Sequence, residues 1–116
     1  MFNWLLGRGA TSQDCVSQDC VNYDETCRAL AEGCALIDVR EADEFASGHV
    51  AGARNMPLSR FDPAALPTDR RVVLICLSGA RSGRALRQAR AAGRKDVAHY
   101  SGGVSGWRRE GGALTR

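Results

Sequence analysis

The chain has 116 residues, of which 44% are hydrophobic and 25% charged, a composition typical of one globular domain. No apolar run approaches the ~20 residues that a membrane-spanning helix needs, so no transmembrane segment is expected. The net charge of +3 is unevenly distributed: residues 1–69 sum to −6 and residues 70–116 to +9. Because no nucleic-acid-binding motif accompanies this asymmetry, we expect no nucleic-acid partner. The positive part should instead attract small anions or an acidic partner protein.

The cysteine pattern indicates free thiols and no metal site. The five cysteines are Cys15, Cys20, Cys27, Cys34 and Cys76. None belongs to a Cys-x-x-Cys pair, and the two histidines, His49 and His99, have no zinc-binding spacing to them. The first six residues are mostly apolar, but they are few, include Asn3 and lack the basic start of a signal peptide. We therefore expect a cytoplasmic location, where an odd number of cysteines would stay reduced.

The N-terminal stretch contains a tandem repeat, since residues 12–16 (SQDCV) recur at once as residues 17–21. A five-residue period fits neither a helix nor a strand. We therefore interpret residues 1–20 as a loosely ordered tail and residues 21–116 as the folded domain. An alternative is that Cys15 or Cys20 resolves or relays a covalent intermediate formed on Cys76.

The first elements of the domain are a helix and a strand. Asp24 is a suitable N-cap for a helix over residues 25–32. Residues 34–39 predict a strand, with Asp38 and Arg40 at its carboxyl end, where open α/β sheets place their sites. We favour a structural role for Asp38, in which its hydrogen bonds hold loops together. Arg40 could instead border the entrance of a site.

The next segment predicts short elements only. Residues 41–47 predict a helix that ends at Gly48, and residues 50–56 a short strand or an extended turn. Residues 61–66 predict a helical turn, with Pro63 near its start and Pro67 directly after its end.

The central unit is an uninterrupted apolar run, residues 72–75, which predicts a strand buried on both faces of a parallel sheet. Cys76 follows it directly, then a polar loop, then a helix over residues 84–92. A loop between a strand and a helix N-terminus offers free N–H groups and the positive end of the helix dipole. These would favour a thiolate at Cys76, with help from Arg81, and would bind an anionic substrate. The alternative is that Cys76 simply packs in the core.

The last elements are a strand over residues 97–100, a tight turn at Gly102 and Gly103, and a helix over residues 106–110. Trp107 is expected to pack in the core. Strands that alternate with helices predict an α/β fold, with a parallel sheet flanked by helices on both faces.

Four segments in order resemble the rhodanese sulfurtransferase family. Residues 76–82 (CLSGARS) are similar to the family's active-site loop, and residues 36–45 to its strand ending in Asp-Val-Arg followed by a short helix. Residues 48–57 are similar to its Gly-His and Gly-Ala segment, and residues 102–107 to its closing Gly-Gly and Trp. The resemblance implies a rhodanese-like, five-stranded sheet in the domain.

The resemblance also implies a sulfur-transfer mechanism without a cofactor. The Cys76 thiolate would attack a small anionic donor such as thiosulfate and form a persulfide, and a thiol or cyanide would accept the sulfur. The residues expected to bind substrate are Leu77, Ser78, Gly79, Ala80, Arg81 and Ser82. Arg81 would attract the donor's negative charge. Asp38, Arg40 and His49 would be structural residues near the site. His49 would not be needed as a general base, because a thiolate stabilised by amides needs none.

Other functions remain open. The same residues would serve a persulfide carrier or binding module dedicated to one partner protein. A phosphatase or arsenate reductase on this fold is a weaker alternative, because such phosphatases have five residues between cysteine and arginine. Here four residues, Leu77 to Ala80, separate Cys76 from Arg81. The smaller ring of amides would surround one sulfur atom and would be tight for a tetrahedral oxyanion.

Overall fold

The structure, a computed structural model, describes residues 19–116. The predictions for the first half of the repeat, for Cys15 and for the apolar N-terminus lie outside the described residues. The described strands are β1 (Cys20–Val21), β2 (Ala35–Asp38), β3 (His49–Val50), β4 (Arg54–Asn55), β5 (Val72–Ile75), β6 (Val97–Tyr100) and β7 (Leu114–Thr115). The helices are α1 (Tyr23–Ala31), α2 (Ala42–Ser47), α3 (Ala80–Ala91) and α4 (Gly103–Arg109).

Five strands form a parallel sheet in the order β1-β6-β5-β2-β4, which confirms the predicted five-stranded α/β architecture. The sheet already includes Cys20, which pairs with His99. It therefore begins one residue before the expected boundary between tail and domain. None of the helices within residues 19–116 is long and apolar enough to cross a membrane.

Strand β5 divides the core because its side chains alternate between the two faces of the sheet. Val73 and Ile75 pack in a cluster with residues of α1 and α4. Val72, Leu74 and Cys76 pack in the second cluster, which contains the buried face of α3. The alternation therefore directs Cys76 towards α3.

The start of α1 differs from the prediction that Asp24 is its N-cap. Asn22 is the N-cap: its side chain accepts from the Glu25 N–H at 2.8 Å, and Glu25 accepts from the Asn22 N–H at 2.9 Å. This reciprocal pair is a capping box. Because β1 ends at Val21, the chain turns into the helix at once, and Asp24 lies in the first turn.

Other helix and strand boundaries also differ from the predicted ones. Helix α3 begins at Ala80 and α4 at Gly103, in each case three or four residues earlier than expected, because a glycine that resembles a helix breaker lies inside each helix. The expected strand over residues 50–56 is two short strands, and the expected turn over residues 61–66 is the 3-10 turn Pro63–Ala65, preceded by another at Leu58–Arg60. Strand β7, which pairs antiparallel with β3, was not predicted.

Candidate active site

Cys76 lies at the carboxyl end of β5 and is 1% exposed. Its Sγ atom accepts a hydrogen bond from the Gly79 N–H at 3.1 Å and lies 3.6 Å from Ser82 Oγ. Burial raises the pKa of the Cys76 thiol. Hydrogen bonds from the Ser82 hydroxyl and from backbone N–H groups of the loop act in the opposite direction, and the pKa lies below its usual value. The site therefore favours the thiolate more than an ordinary cysteine environment does.

The first turn of α4 orients the loop. The N–H of Val104 donates to the Cys76 carbonyl at 2.8 Å, and the N–H of Ser105 donates to the Leu77 carbonyl at 3.0 Å. Two carbonyls of the loop are thus held by α4. In this orientation the loop donates the Gly79 N–H to the sulfur.

Two glycines permit this close approach. Gly103 has φ +67°, and a Cβ there would collide with the Leu77 carbonyl. Gly79, the N-cap of α3, has φ +101°, and a Cβ there would collide with the Ser101 carbonyl. Both positions need a left-handed backbone and space that only glycine provides. Gly103 therefore allows α4 to approach the loop, in addition to its predicted place in a tight turn.

Arg81 is engaged by Glu44, a residue that the sequence analysis did not identify. Its Nη1 and Nη2 atoms donate to the two carboxylate oxygens at 2.6 and 3.0 Å. This bidentate pair holds the pKa of Glu44 at about 2 and raises that of Arg81. The charge of Arg81, which was expected to attract the donor, is therefore partly compensated by Glu44. A role in donor binding stays a prediction.

Asp38 and Arg40 form a buried ion pair at the end of β2, with 0% and 4% of the residue exposed. The Arg40 Nη2 atom donates to Asp38 at 2.9 Å and to the Gly48 carbonyl at 2.7 Å. This geometry fits the predicted structural role, because it ties the end of β2 to the start of β3. The burial of Arg40 leaves it no surface with which to border an entrance.

His49 contacts α2. Its ring stacks on Phe45 with centroids 3.8 Å apart, and Nδ1 lies 2.9 Å from the Phe45 carbonyl oxygen. These contacts fit a structural role for His49.

The loop presents an exposed rim. Leu77 is 43% exposed and is the one large hydrophobic residue within residues 19–116 that is exposed. Ser78 and Ala80 are exposed as well, whereas Ser82 is fully buried. The predicted substrate-binding residues thus divide into an exposed rim and a buried base.

His99 is a neighbour of the site that the sequence analysis missed. Its Nδ1 atom lies 2.8 Å from Ser82 Oγ. The signal was present in the pattern of β6: His99 pairs with Leu74 in parallel register, and Leu74 packs on the same side of the sheet as Cys76. Aligned strands present paired residues on the same face. A polar residue inside an apolar strand next to β5 therefore marks a contact near the thiol.

Three further cysteines lie within the described part of the chain. Cys20, Cys27 and Cys34 are partly exposed, and none of the three forms a disulfide there. That part contains no group of three or more His, Cys, Asp or Glu side chains that could hold a metal ion.

Comparisons with known proteins agree on one family. The family model described as Rhodanese-like domain matches residues 23–110, more than half of the chain. An uncharacterized protein of Synechocystis is 44% identical over 78 residues, which are 66% of this chain and 44% of that protein. This chain therefore spans less than half the length of that relative.

A human sequence and a human solved structure are similar over more of their length. The thiosulfate:glutathione sulfurtransferase of Homo sapiens is 32% identical over 104 residues, with 75% of this chain and 90% of that protein covered. The solved structure of a human single-domain sulfurtransferase has a TM-score of 0.72 at 30% identity, and the match covers 79% of this chain and 96% of that one. The match extends over nearly the whole human domain.

Proposed function

The chain belongs to the rhodanese-like domain family, and on this premise we propose that it is a sulfurtransferase that works through a persulfide on Cys76. The donor is a small anion such as thiosulfate, and the acceptor is a thiol in the cell or cyanide in an assay. The observation that carries the proposal is the environment of the sulfur: Sγ accepts the Gly79 N–H at 3.1 Å, and the pKa of Cys76 lies below its usual value.

The proposed reaction has two displacement steps. In the first, the Cys76 thiolate attacks the outer sulfur of thiosulfate, a new S–S bond forms, and the old S–S bond breaks with its electron pair leaving on sulfite. In the second, the acceptor attacks the outer sulfur of the persulfide, and the electron pair of the Cys76–sulfur bond returns to the thiolate. This is covalent catalysis of the ping-pong kind, and no redox cofactor enters the balance.

The buried position of Cys76 supports this sequence of steps. With 1% of the residue exposed, Sγ offers little surface to a bulky acceptor. The outer sulfur of a persulfide extends one bond further towards the loop rim. Its negative charge would lie near the N-terminus of α3, a twelve-residue helix whose dipole and free N–H groups favour anions.

A persulfide carrier dedicated to one partner protein is the second candidate. The observation that favours it is the 43% exposure of Leu77 on the rim, since an apolar side chain beside the nucleophile could contact a partner. A phosphatase or arsenate reductase is less well supported. Four residues separate Cys76 from Arg81, and the Arg81 guanidinium donates to Glu44.

The proposal is tested by a thiosulfate and cyanide assay in which thiocyanate is measured. We expect Cys76→Ser to remove turnover while the circular dichroism spectrum stays unchanged. Cys27→Ser is the matched control, because Cys27 packs beside the other face of the sheet, and it should retain turnover. Cys76-dependent hydrolysis of an aryl phosphate without sulfur transfer would overturn the proposal. Transfer only to one protein acceptor would favour the carrier.

A further inference from the structure

We propose that His99 is a positioning residue, which orients the Ser82 hydroxyl so that its proton points at the Cys76 sulfur. The three groups form a chain: His99 Nδ1 lies 2.8 Å from Ser82 Oγ, and Ser82 Oγ lies 3.6 Å from Cys76 Sγ. The proposal rests on the proposed function only in taking Cys76 as the reacting thiol.

The direction of the hydrogen bonds among these three groups follows from counting protons. The Ser82 hydroxyl has one proton and three acceptors within reach: Cys76 Sγ, His99 Nδ1 and the Gly79 carbonyl oxygen, which lies 3.3 Å away. If Nδ1 carries no proton, it is the nearest acceptor, and the Ser82 hydroxyl donates its hydrogen bond to it. The thiolate then loses that donor. If Nδ1 carries a proton, it donates to Oγ and cannot accept. The hydroxyl proton is then available to the sulfur.

The position of His99 makes this orientation persistent. The ring lies against α3, where Gly83 leaves space for it: a Cβ on Gly83 would lie 3.6 Å from its Cε1 atom. The backbone is fixed as well, because the His99 N–H donates to the Asp19 carbonyl at 2.8 Å and the residue pairs with Leu74. The imidazole ring therefore lies against α3, and its backbone is fixed in the sheet, while Nδ1 contacts Ser82.

The charged and titratable groups around the ring come from two elements and the loop. Asp19 and Cys20 flank it from the β1 side, and Arg87 and Arg90 flank it from α3, where Arg90 pairs with Asp19 at 2.6 Å. Burial and Arg87 lower the pKa of His99, and Asp19 raises it, with a net lowering. The net lowering favours the neutral ring. The hydrogen bond from Ser82 to the sulfur then depends on the neutral tautomer that carries its proton on Nδ1. A thiolate at Cys76 favours this tautomer.

The experiment measures the ionisation of Cys76 directly, as the rate at which iodoacetamide alkylates the Cys76 peptide, over a range of pH. Replacing His99 with Phe should shift the midpoint of this profile to higher pH. Below the midpoint, the rate should fall about threefold to tenfold, the range of one ordinary hydrogen bond. The plateau at high pH should not change. His99→Asn should restore the midpoint, since its amide N–H can donate to Ser82.

Two controls separate positioning from general disturbance. In a Ser82→Ala background, His99→Phe should cause no further shift, because its effect passes through the hydroxyl. His49→Phe should leave the profile unchanged, since His49 contacts Phe45. An unshifted profile in His99→Phe, or an equal shift with and without Ser82, would overturn the proposal.

A spectroscopic measurement covers the case in which the Phe variant does not fold. Nitrogen-15 NMR of the unsubstituted protein, above the pH at which Cys76 ionises, should show the proton of His99 on Nδ1. A proton on Nε2 alone would contradict the proposal. Neither measurement needs a sulfur donor. His99 can therefore affect the ionisation of Cys76 in a protein that transfers no sulfur. Sulfur transfer can equally occur in a protein whose thiol is unaffected by His99, so the two proposals fail separately.

Discussion

At the Cys76 sulfur, burial and hydrogen bonding act in opposite directions. Burial alone disfavours the charged thiolate, and a thiol in an apolar core would be inert. The Ser82 hydroxyl and the loop N–H groups compensate, and the pKa of Cys76 is lowered. The same residue that fills the core beneath α3 therefore keeps a lowered pKa, as the proposed nucleophile requires.

This balance predicts how stability depends on pH. In the unfolded chain Cys76 has the ordinary thiol pKa, and in the folded protein its pKa is lower, so between the two values the unfolded state binds more protons. The stabilisation from ionisation is fully present above the unfolded pKa, and it is lost as the pH falls through the folded pKa. The parent should therefore gain free energy of unfolding relative to Cys76→Ser as the pH rises towards 9. Urea titrations at several pH values would measure it, and a constant difference would argue against a stabilised thiolate.

The Arg81–Glu44 pair raises a second question at this scale, whether Arg81 serves the donor or only connects α3 to α2. If Arg81 binds the donor, Arg81→Ala should raise the KM for thiosulfate about tenfold or more, the value of a charge-assisted hydrogen bond. Glu44→Gln should then lower KM, because it removes a negative charge that competes for the guanidinium.

Steady-state kinetics of the two variants distinguish these roles. Opposite changes in KM indicate donor binding. If both variants lose thermal stability and change KM in the same direction, Arg81 is structural. The ion pair stays intact in such assays, since the pKa of Glu44 is about 2 and its contribution is lost only as the pH falls through that value.

At the scale of elements, the first turn of α4 decides whether the loop can present its N–H groups. Val104 and Ser105 hold the loop carbonyls, and Gly103 allows the contact. We predict that Gly103→Ala lowers both transfer activity and the free energy of unfolding, the latter by about 1–3 kcal/mol.

Gly111 offers the matched control. It also has a positive φ, +93°, but a Cβ there would meet nothing within 4 Å. Gly111→Ala should therefore lower the free energy of unfolding only by the cost of the left-handed backbone, about 1–2 kcal/mol. The variant should keep its turnover per folded molecule. Equal loss of activity in both variants, measured below their melting temperatures, would contradict the role assigned to α4.

Local patterns explain which elements could be predicted. The apolar run of β5, the polar loop and the arginine-rich helix are contiguous, so the strand, the nucleophile and the helix dipole could be inferred together. The contact of Glu44 with Arg81 could not be derived from local pattern, because it joins segments 37 residues apart. His99 stood out as a polar residue in an apolar strand, but its contact with Ser82 follows only once β6 is known to lie beside β5. The Asn22 cap was missed because two acceptable caps stand two residues apart, and the end of β1 selects between them.

At the scale of the whole molecule, the sheet determines where the domain can be shortened. Val21 is 1% exposed in β1, and the Asp19 carbonyl accepts from His99. We predict that deleting residues 1–18 leaves transfer from thiosulfate to cyanide largely unchanged. Deleting residues 1–21 should lower the free energy of unfolding by at least about 1.5–3 kcal/mol, the value of one buried valine.

Turnover and urea unfolding of the two shortened chains would check this prediction. A large loss of turnover on deleting residues 1–18, with the circular dichroism spectrum preserved, would instead assign a working role to the N-terminal segment. Cys15, which lies in it, would then be the first residue to replace.

The positive charge of residues 70–116 also belongs to this scale. Arg84 and Arg87 are exposed on α3, which begins at the site. Their field should attract small anions, and an acidic partner protein stays a prediction of the same kind.

The central claim is that Cys76 carries the sulfur, and the intact mass of the protein after incubation with thiosulfate tests it most directly. We predict the gain of one sulfur atom per chain, located on the Cys76 peptide, removed by cyanide and absent from Cys76→Ser. No gain of sulfur at Cys76, or an equal gain in Cys76→Ser, would contradict the account.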